Sequence, residues 1–382
     1  MKYLSLTPRD PLVARDGRPF GAGSGTRMKS LDWLSPSVTA GALRTMLGKQ
    51  NPAAFSEQVV AGLKQIEVAG PLPLWDGTLF LPCPHDFALR AEGSKPRDCF
   101  RLRPLPSLND DYCDLPDARL RPVLLPGTVE EEFKPDVPPS LWSMQKMRGW
   151  LLEKAFPPPP AKDDRRKLGP TCGFLDALPR DERTHVKILP GTGAAAEHFL
   201  YSTASLAFHE GVTIALRITG ADNVGVGGLH PVGGERRLAH WATAAADPWQ
   251  CPTDISTALT TAGRIRMVLA TPALFRSGWK PGWLDDQLEG TPPGTTVKLR
   301  LTGVATDRWR AVSGFGLETG LMGPKPIRRT VPAGGVYFFE YVEGDRKTLA
   351  TTGWLAPVSD LAEDGQDRRD GFGLALWGIW NE

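Results

Sequence analysis

The first residues that could do chemistry are basic side chains set among glycines, between residues 11 and 48. The glycine-rich loop at the start of this stretch carries four cations: Arg15, Arg18, Arg27 and Lys29. Neither a P-loop nor a dinucleotide-binding pattern occurs in this stretch. The loop is followed by a predicted helix that begins near Ser37. The free N–H groups and dipole of a helix N-terminus, together with nearby cations, suit a phosphate chain. We therefore predict a phosphate-binding site, although a basic surface loop without a ligand has the same composition.

Basic residues with neighbouring aromatic side chains recur further along the chain. They lie before Trp241, before Trp279 and between residues 325 and 329. Each cluster alone is typical of a solvated surface, but several beside glycine-rich loops indicate RNA, held through its phosphates and splayed bases. The predicted RNA-binding residues are Arg15, Gly17, Arg18, Arg27, Lys29, Ser37, Thr39, Arg44, His185, Arg236, Arg237, Arg276, Lys325, Arg328 and Arg329.

His185 is a candidate for acid–base catalysis, because an imidazole could take the proton of an RNA 2′-hydroxyl. No second acid–base group is evident at a fixed spacing from it, and the common hydrolase motifs do not occur in the sequence. This pattern favours a histidine that contacts RNA or fills a place in the fold. We predict no catalytic residue.

Four residues could in principle bind zinc: Cys83, His85, Cys99 and Cys113. Their long spacings match no common zinc motif, so separate buried thiols are the preferred interpretation, and we predict neither a metal nor a cofactor. The chain has five cysteines, an odd number that indicates a reducing cytoplasm rather than a disulfide framework. No apolar run is long enough for a membrane helix, and no membrane partner is predicted.

Length and charge set the scale of the fold and of its fields. A chain of 382 residues favours two domains, each able to bury a core. The net charge is only +2, so a polyanion must be met by local cations and not by a global field.

The elements that would position these residues repeat in part along the chain. Alternation at residues 3–6 predicts a buried first strand, followed by a helix over residues 36–48. A strand at 265–269 is likewise followed by a helix-like piece at 283–288. The order predicts an α+β fold of two ferredoxin-like (RRM-like) domains, residues 1–250 and 251–382. The alternating segments 199–205 and 212–218 predict a hairpin, since Glu210 and Gly211 form a turn between them.

A long loop-rich insertion, about residues 82–181, interrupts the first domain. Its prolines and mixed charges predict no core of its own, and hence an assembly surface. The exception is an apolar helix over residues 141–152, whose tryptophans and methionines favour contact with another protein. Packing of this helix on its own domain remains the alternative.

Together, the motifs resemble a known family, the third subunit of the Cmr complex in type III-B CRISPR effectors, a RAMP-superfamily protein. The motifs that carry the resemblance are DPL at 10–12, RDGRPF at 15–20, residues 36–44, RTHV at 183–186, GGERR at 233–237, KPIRR at 325–329 and GFGLAL at 371–376. They span the chain in the family's order, and only the insertion lacks a match.

The resemblance implies two ferredoxin-like domains and a non-catalytic role in antiviral, RNA-guided interference. It implies that the chain holds the 5′ handle of the CRISPR RNA, and that it docks the large polymerase/cyclase-like subunit and the first backbone RAMP subunit. Target RNA would then be a partner only indirectly.

Two alternatives remain open from the sequence. One is a stand-alone endoribonuclease of the same superfamily that processes precursor CRISPR RNA with His185 as general base. The other is a protein scaffold that contacts no RNA.

Overall fold

The computed structural model describes residues 1–15, 26–50, 55–92, 95–105, 115–127, 133–160, 169–221, 225–244, 246–316 and 323–381. Gly17, Arg18 and Cys113 lie outside the described residues. Within the described ranges, no helix has both the length and the apolar run needed to span a bilayer.

Short strands dominate the described residues, and helices are few. The strands are β1 (Lys2–Pro8), β2 (Thr26–Met28), β3 (Glu67–Trp75), β4 (Thr78–Pro82), β5 (Phe87–Glu92), β6 (Lys95–Arg101), β7 (Arg103–Pro104), β8 (Val123–Leu124), β9 (Leu141–Ser143), β10 (Phe174–Leu175), β11 (Arg180–Ile188), β12 (Ala195–Leu206), β13 (Val212–Thr219), β14 (Gly228–Pro231), β15 (Leu238–Thr243), β16 (Arg264–Leu269), β17 (Glu289–Gly290), β18 (Lys298–Ala305), β19 (Arg310–Val312), β20 (Phe315–Gly316), β21 (Gly323–Pro324), β22 (Arg328–Thr330), β23 (Val336–Glu343), β24 (Ala356–Pro357) and β25 (Leu374–Ile379). The helices are α1 (Pro36–Gly48), α2 (Glu57–Lys64), α3 (Met144–Leu151), α4 (Thr253–Thr261), α5 (Lys347–Thr351) and α6 (Gln366–Arg369).

The chain divides into two compact units, and each is built from separate segments. Unit 1 comprises Met1–Pro71, Ala177–Ala245 and Ala311–Arg329. Unit 2 comprises Leu72–Asp176, Ala246–Arg310 and Thr330–Glu382. Most of the predicted insertion is therefore grouped with the C-terminal part of the chain, which differs from the division at residue 250 that the sequence suggests.

In unit 1 the strands lie in the order β3-β13-β1-β15-β14, with the start of β3 at one edge. The predicted first strand is confirmed: β1 lies between β13 and β15, and pairs antiparallel with both. Leu4 and Leu6 alternate onto its buried face, opposite Leu216 and Ile214 of β13. Numbered by chain order, the first four strands stand as 2-3-1-4.

Helix α1 covers the apolar face of this sheet, as its spacing predicts. Ala40, Leu43 and Leu47 are buried in the same core as Leu4 and Leu6. Pro36 at the start has the fixed φ that suits a first helical turn.

The predicted hairpin between residues 199–205 and 212–218 is wrong. β13 pairs with β1, whereas β12 pairs with β11 and with β2 in a separate three-stranded sheet, β11-β12-β2. Alternation identified both strands correctly, but it carries no information on the partner across the ladder.

In unit 2 the main sheet has the order β17-β18-β23-β16-β25-β24 and is antiparallel throughout. Its four long strands again stand as 2-3-1-4 in chain order, and the closing strand predicted at the C-terminus is confirmed as β25. The helix-like piece predicted at 283–288 is wrong. The Asp285 carboxylate accepts the backbone N–H groups of Gln287 and Glu289, at 2.8 and 2.9 Å, and so holds a turn.

The expectation that the insertion has no core is also wrong. Phe87, Leu89, Trp142, Trp150 and Phe174 form a buried hydrophobic cluster that is mainly aromatic. The rings of Trp142 and Trp150 meet edge to face at 5.5 Å. Most apolar side chains of the predicted helix therefore pack inside unit 2, which leaves them buried and not exposed for contact with another protein.

A buried ionic group joins this segment to the central strand β16. The Asp86 carboxylate accepts from the Trp150 indole N–H at 2.8 Å and from the Arg266 guanidinium at 2.6 Å. Glu153 lies 3.1 Å from the same guanidinium and 2.7 Å from that of Arg103. Asp86 and Arg266 are 0% and 1% exposed, so their mutual pairing is what makes their burial tolerable.

Candidate nucleic-acid interface

The backbone of residues 13–15 is the framework of the predicted phosphate site in unit 1. It leaves β1 and runs beside the residues that follow β2: Leu31 N–H donates to the Ala14 carbonyl at 2.7 Å, and Arg15 pairs with Ser30. The Ala14 N–H donates to the Ser30 hydroxyl at 3.3 Å. Arg15 and Lys29 are thereby brought together although they are distant in sequence.

The turn at residues 233–237 contacts the same backbone. The Gly234 N–H donates to the Val13 carbonyl at 2.7 Å. Gly233 has φ 75°, and a Cβ atom there would lie 2.3 Å from the Val13 oxygen, so only glycine fits. The same Cβ position lies 3.8 Å from the Val38 side chain in the first turn of α1. The glycine pair thus places the backbone that precedes Arg236 against Val13 and beside the first turn of α1.

The result is a group of cations around one stretch of backbone. Arg15, Arg27, Lys29 and Arg236 are all exposed, and Ser37 is half-buried. Within the part of the chain that the structure describes, no ion pair of the Arg27, Lys29 or Arg236 side chains is found. Unpaired guanidinium and ammonium groups in one place can bind several phosphates of one strand.

Three of the residues predicted to bind RNA also make contacts within the fold of unit 1. Thr39 is fully buried, and its hydroxyl donates to the Pro36 carbonyl at 3.1 Å. The Arg44 guanidinium donates to the carbonyls of Leu63 and Ile66, at 3.0 and 2.8 Å, and so satisfies the end of α2. Arg237 pairs with Glu235 at 2.8 Å. Thr39, Arg44 and Arg237 thus contribute to the fold of unit 1, and their contact with RNA stays a prediction.

His185 lies on the long β11–β12 hairpin of the same unit. Its Nε2 lies 2.9 Å from the Thr203 hydroxyl, and its ring stacks on Tyr201 at 5.0 Å and 15°. Two residues nearer the tip of the hairpin, the Lys187 ammonium lies over the Phe199 ring, 4.7 Å from its centroid. These side chains share one face of the hairpin because paired residues and i, i+2 residues point the same way.

Strand β2, which carries Arg27, is the third strand of the sheet that this hairpin forms. It runs parallel to β12, with Arg27 opposite Ser202 and Thr26 opposite Tyr201. The same three-stranded sheet therefore carries both Arg27 and His185, with Arg27 on the face of Ser202 and His185 on the face of Tyr201. No local sequence pattern predicts this pairing.

The remaining predicted residues lie elsewhere in the fold. Lys325 and Arg329 are exposed and Arg328 is half-buried; the Lys325 N–H donates to the Gly314 carbonyl at 2.8 Å. Arg276 belongs to unit 2, where its backbone N–H donates to Asp360 at 2.8 Å. Its side chain is 61% exposed and lies 3.8 Å from Glu363.

Three of the residues considered for zinc, Cys83, His85 and Cys99, lie in the described part of the chain. Among the described residues, no group of three or more possible ligands lies together. Nδ1 of His85 accepts the Asp307 N–H at 3.1 Å, and burial lowers the pKa of this histidine. Burial raises the pKa of the Cys83 thiol well above its usual value.

Comparison with known families settles the relationship. The family model of the CRISPR-associated protein Cas_Cmr3 matches residues 4–380. The chain belongs to the Cmr3 family. This confirms the resemblance predicted from the sequence, to the third subunit of the type III-B Cmr effector.

Solved structures agree in fold with this family. One is a chain in the structure of a type III-B Cmr-beta complex bound to cognate target RNA and AMPPnP. The match covers 88% of this chain and 86% of that chain, at 17% sequence identity and a TM-score of 0.50. Another is Cmr-beta bound to cognate target RNA, with the same coverage and TM-score at 18% identity. No relative is found among curated protein sequences.

Some features of this Cmr3-family chain were missed by sequence reasoning. The alternation of Phe199 and Tyr201 predicts a strand, and the structure shows that the same spacing also places the two rings beside Lys187 and His185. The contact of Gly233 with Val13 had no sequence signal beyond the paired glycines, since the two positions are far apart in the chain.

Proposed function

We propose that this chain is the non-catalytic subunit of a type III-B CRISPR effector complex that holds the 5′ handle of the CRISPR RNA. In this proposal each unit is a ferredoxin-like domain. The support is the order 2-3-1-4 of the four main strands in both sheets, which is the order of that fold.

The observation that carries the RNA-binding role is the grouping of Arg15, Arg27, Lys29 and Arg236 around residues 13–15. A short single-stranded handle needs several phosphate contacts in a small area, because the net charge of the chain is only +2. The turn at 233–237 supplies a rigid support, since its backbone is bonded to that of Val13.

The hairpin face with His185, Tyr201, Lys187 and Phe199 is a second part of the proposed surface, on the side of the three-stranded sheet opposite to Arg27. Aromatic rings and cations side by side suit bases and phosphates of an unpaired strand. His185 has its Nε2 engaged with Thr203 and its ring with Tyr201, which supports a contact role. We therefore propose no cleavage by this chain, and His185→Ala should leave RNA processing by the assembled complex intact.

The proposed protein partners are the large polymerase/cyclase-like subunit and the first backbone RAMP subunit. Target RNA would be met only through the assembled complex. The solved relatives are complexes with target RNA, which supports an effector role for this family member.

Handle binding is tested with a fluorescent 5′-handle RNA and the full chain. Arg27→Ala and Arg236→Ala should each weaken binding by about 1–3 kcal/mol, the scale of a charge-assisted hydrogen bond. Arg300→Ala is the matched control, because Arg300 is similarly exposed but lies in unit 2, where it pairs with Glu289 at 2.6 Å. Equal affinity of all three variants and the wild type would reject the proposed surface.

Co-purification with endogenous RNA separates this proposal from its competitors. Sequencing of the bound 5′ ends should return one common handle. Cleavage of precursor RNA by the chain alone would favour an endoribonuclease, and assembly without any RNA contact would favour a scaffold.

A further inference from the structure

Unit 2 exposes a tryptophan between two arginines, on the connection from β18 to β19. Arg308, Trp309 and Arg310 are all exposed, and Trp309 has 55% of its surface accessible. Tryptophan is usually well covered even at a protein surface, so an indole this open is a feature to be explained. The residue was not among those predicted from the sequence.

The backbone of this connection is anchored on both sides of the indole. Before it, the Asp307 N–H donates to Nδ1 of His85, at 3.1 Å. His85 is itself fixed, because its backbone N–H donates to the Gly334 carbonyl at 2.9 Å. After it, the Thr330 hydroxyl donates to the carbonyl of Arg310 at 3.0 Å.

Gly334 makes room for this arrangement. It has φ 91°, and a Cβ atom there would lie 2.4 Å from the Cys83 carbonyl and 2.9 Å from Nε2 of His85. The segment is therefore held in one conformation before any partner arrives, and a preorganised contact loses less entropy on binding.

The chemistry around the indole favours an anionic partner with flat rings. A guanidinium lies on each side of Trp309 in the chain. The acid that precedes them, Asp307, has a carboxylate oxygen 3.9 Å from Nε2 of His85. An indole offers a face on which any base can stack, while arginine binds phosphate. An apolar protein surface would be poorly matched to two adjacent guanidinium groups.

We infer that residues 306–310 form a stacking platform for single-stranded RNA, with Trp309 under a base and Arg308 and Arg310 at its phosphates. This site lies in unit 2 and is additional to the handle surface of unit 1. The inference rests on the proposed RNA-binding function, and it assigns a sequence-tolerant contact to residues which that function does not use.

The test uses the full chain and a labelled single-stranded RNA, once with the handle sequence and once scrambled. Trp309→Ala should lower the affinity for both RNAs by about tenfold, the usual scale for loss of one stacked base. Trp309→Phe should retain most of the affinity because it keeps a ring. Val137→Ala is the control, since Val137 is another exposed apolar residue of unit 2, at 66%.

Photocrosslinking locates the contact directly. The complex is reconstituted with CRISPR RNA that carries 5-bromouridine at single positions, and the adducts are mapped by mass spectrometry. An adduct on Trp309 at one or two adjacent positions supports the platform. No adduct on residues 306–310 from any position overturns it.

The outcomes separate the two proposals. If Arg236→Ala weakens handle binding while Trp309→Ala changes nothing, the platform is rejected and the handle surface stands. If Trp309→Ala keeps RNA affinity but loses a protein subunit on size-exclusion chromatography, the surface binds protein and the inference is wrong. A wild-type chain and complex that bind no RNA overturn both.

Discussion

At the scale of single residues, close backbone contacts decide where the cations of unit 1 lie. Arg236 follows a turn that is bonded to Val13, and residues 234–237 have their own strained geometry, with Glu235 and Arg236 at φ 56° and 53°. Positive φ in residues other than glycine costs energy and persists only where the surroundings enforce it. Here the close contact of Gly233 with the Val13 carbonyl holds Glu235 and Arg236 at positive φ.

Gly233→Ala should therefore damage both stability and RNA binding. A Cβ atom 2.3 Å from the Val13 oxygen, at φ 75°, must displace the turn and Arg236 with it. We expect a loss of about 2 kcal/mol or more, read as a lower thermal midpoint, together with weaker handle binding. Gly263→Ala is the control because nothing lies within 4 Å of its Cβ position and its φ is not positive. Equal midpoints for both variants would contradict the account.

His85 gives unit 2 a pH dependence of known sign. Burial, the largest cause, lowers the pKa of His85; Arg310 acts in the same direction, while the carboxylates of Asp307 and Asp86 oppose it. Since the folded pKa lies below the unfolded one, stability is complete above the ordinary pKa of about 6.5 and falls as the pH drops from there towards the folded value.

The thermal midpoint should thus decrease between pH 7 and pH 5. His85→Asn should show a smaller decrease, because the amide oxygen can still accept the Asp307 N–H but does not titrate. An unchanged pH dependence in this variant would assign the effect to other groups.

At the scale of elements, strands are placed by partners that lie far away in the chain. β2 pairs with β12, and this pairing places Arg27 on the same three-stranded sheet as His185. In unit 2, β16 carries Arg266, whose charge is matched by Asp86 and Glu153 from the predicted insertion. The insertion is folded because it supplies both the aromatic cluster and the counter-charges of a buried arginine.

Removal of Arg266 should show how strongly these elements depend on each other. Arg266→Ala leaves Asp86 buried without its cation, and loss of one partner of a buried pair costs about 3–5 kcal/mol. Arg300→Ala removes an exposed ion pair and should cost less than about 1 kcal/mol. Thermal unfolding of both variants gives the comparison. A similar small loss for each would mean that the buried pair contributes little.

At the scale of the whole molecule, the charge is nearly balanced and the cations are local. With a net charge of +2, long-range attraction of RNA is weak, so the proposed RNA binding depends on the phosphates that the exposed cations of unit 1 would contact. The two units are similar in strand order but differ in what they present, so a doubled fold carries surfaces of different chemistry.

Salt dependence should report the number of those local contacts. For single-stranded RNA, the slope of log affinity against log salt is about −0.7 per neutralised phosphate, so four cations give about −3. Arg236→Ala should reduce the slope by about 0.7, while Arg300→Ala leaves it unchanged. A slope near zero for the wild type would mean that phosphate contacts do not hold the handle.

The sequence by itself determined the family, the first strand, helix α1, the closing strand and most of the exposed cations. These features depend on local periodicity, on proline and glycine and on motif order, all of which can be read along the chain. Only the tertiary structure decided which strands pair, that Thr39 and Arg44 serve the fold, and that Arg266 draws the insertion into unit 2. These features depend on contacts between distant residues. The partner of a buried charge and the neighbour of a strand are tens to hundreds of positions away in the chain. Contacts over such separations produce no periodic pattern in the sequence.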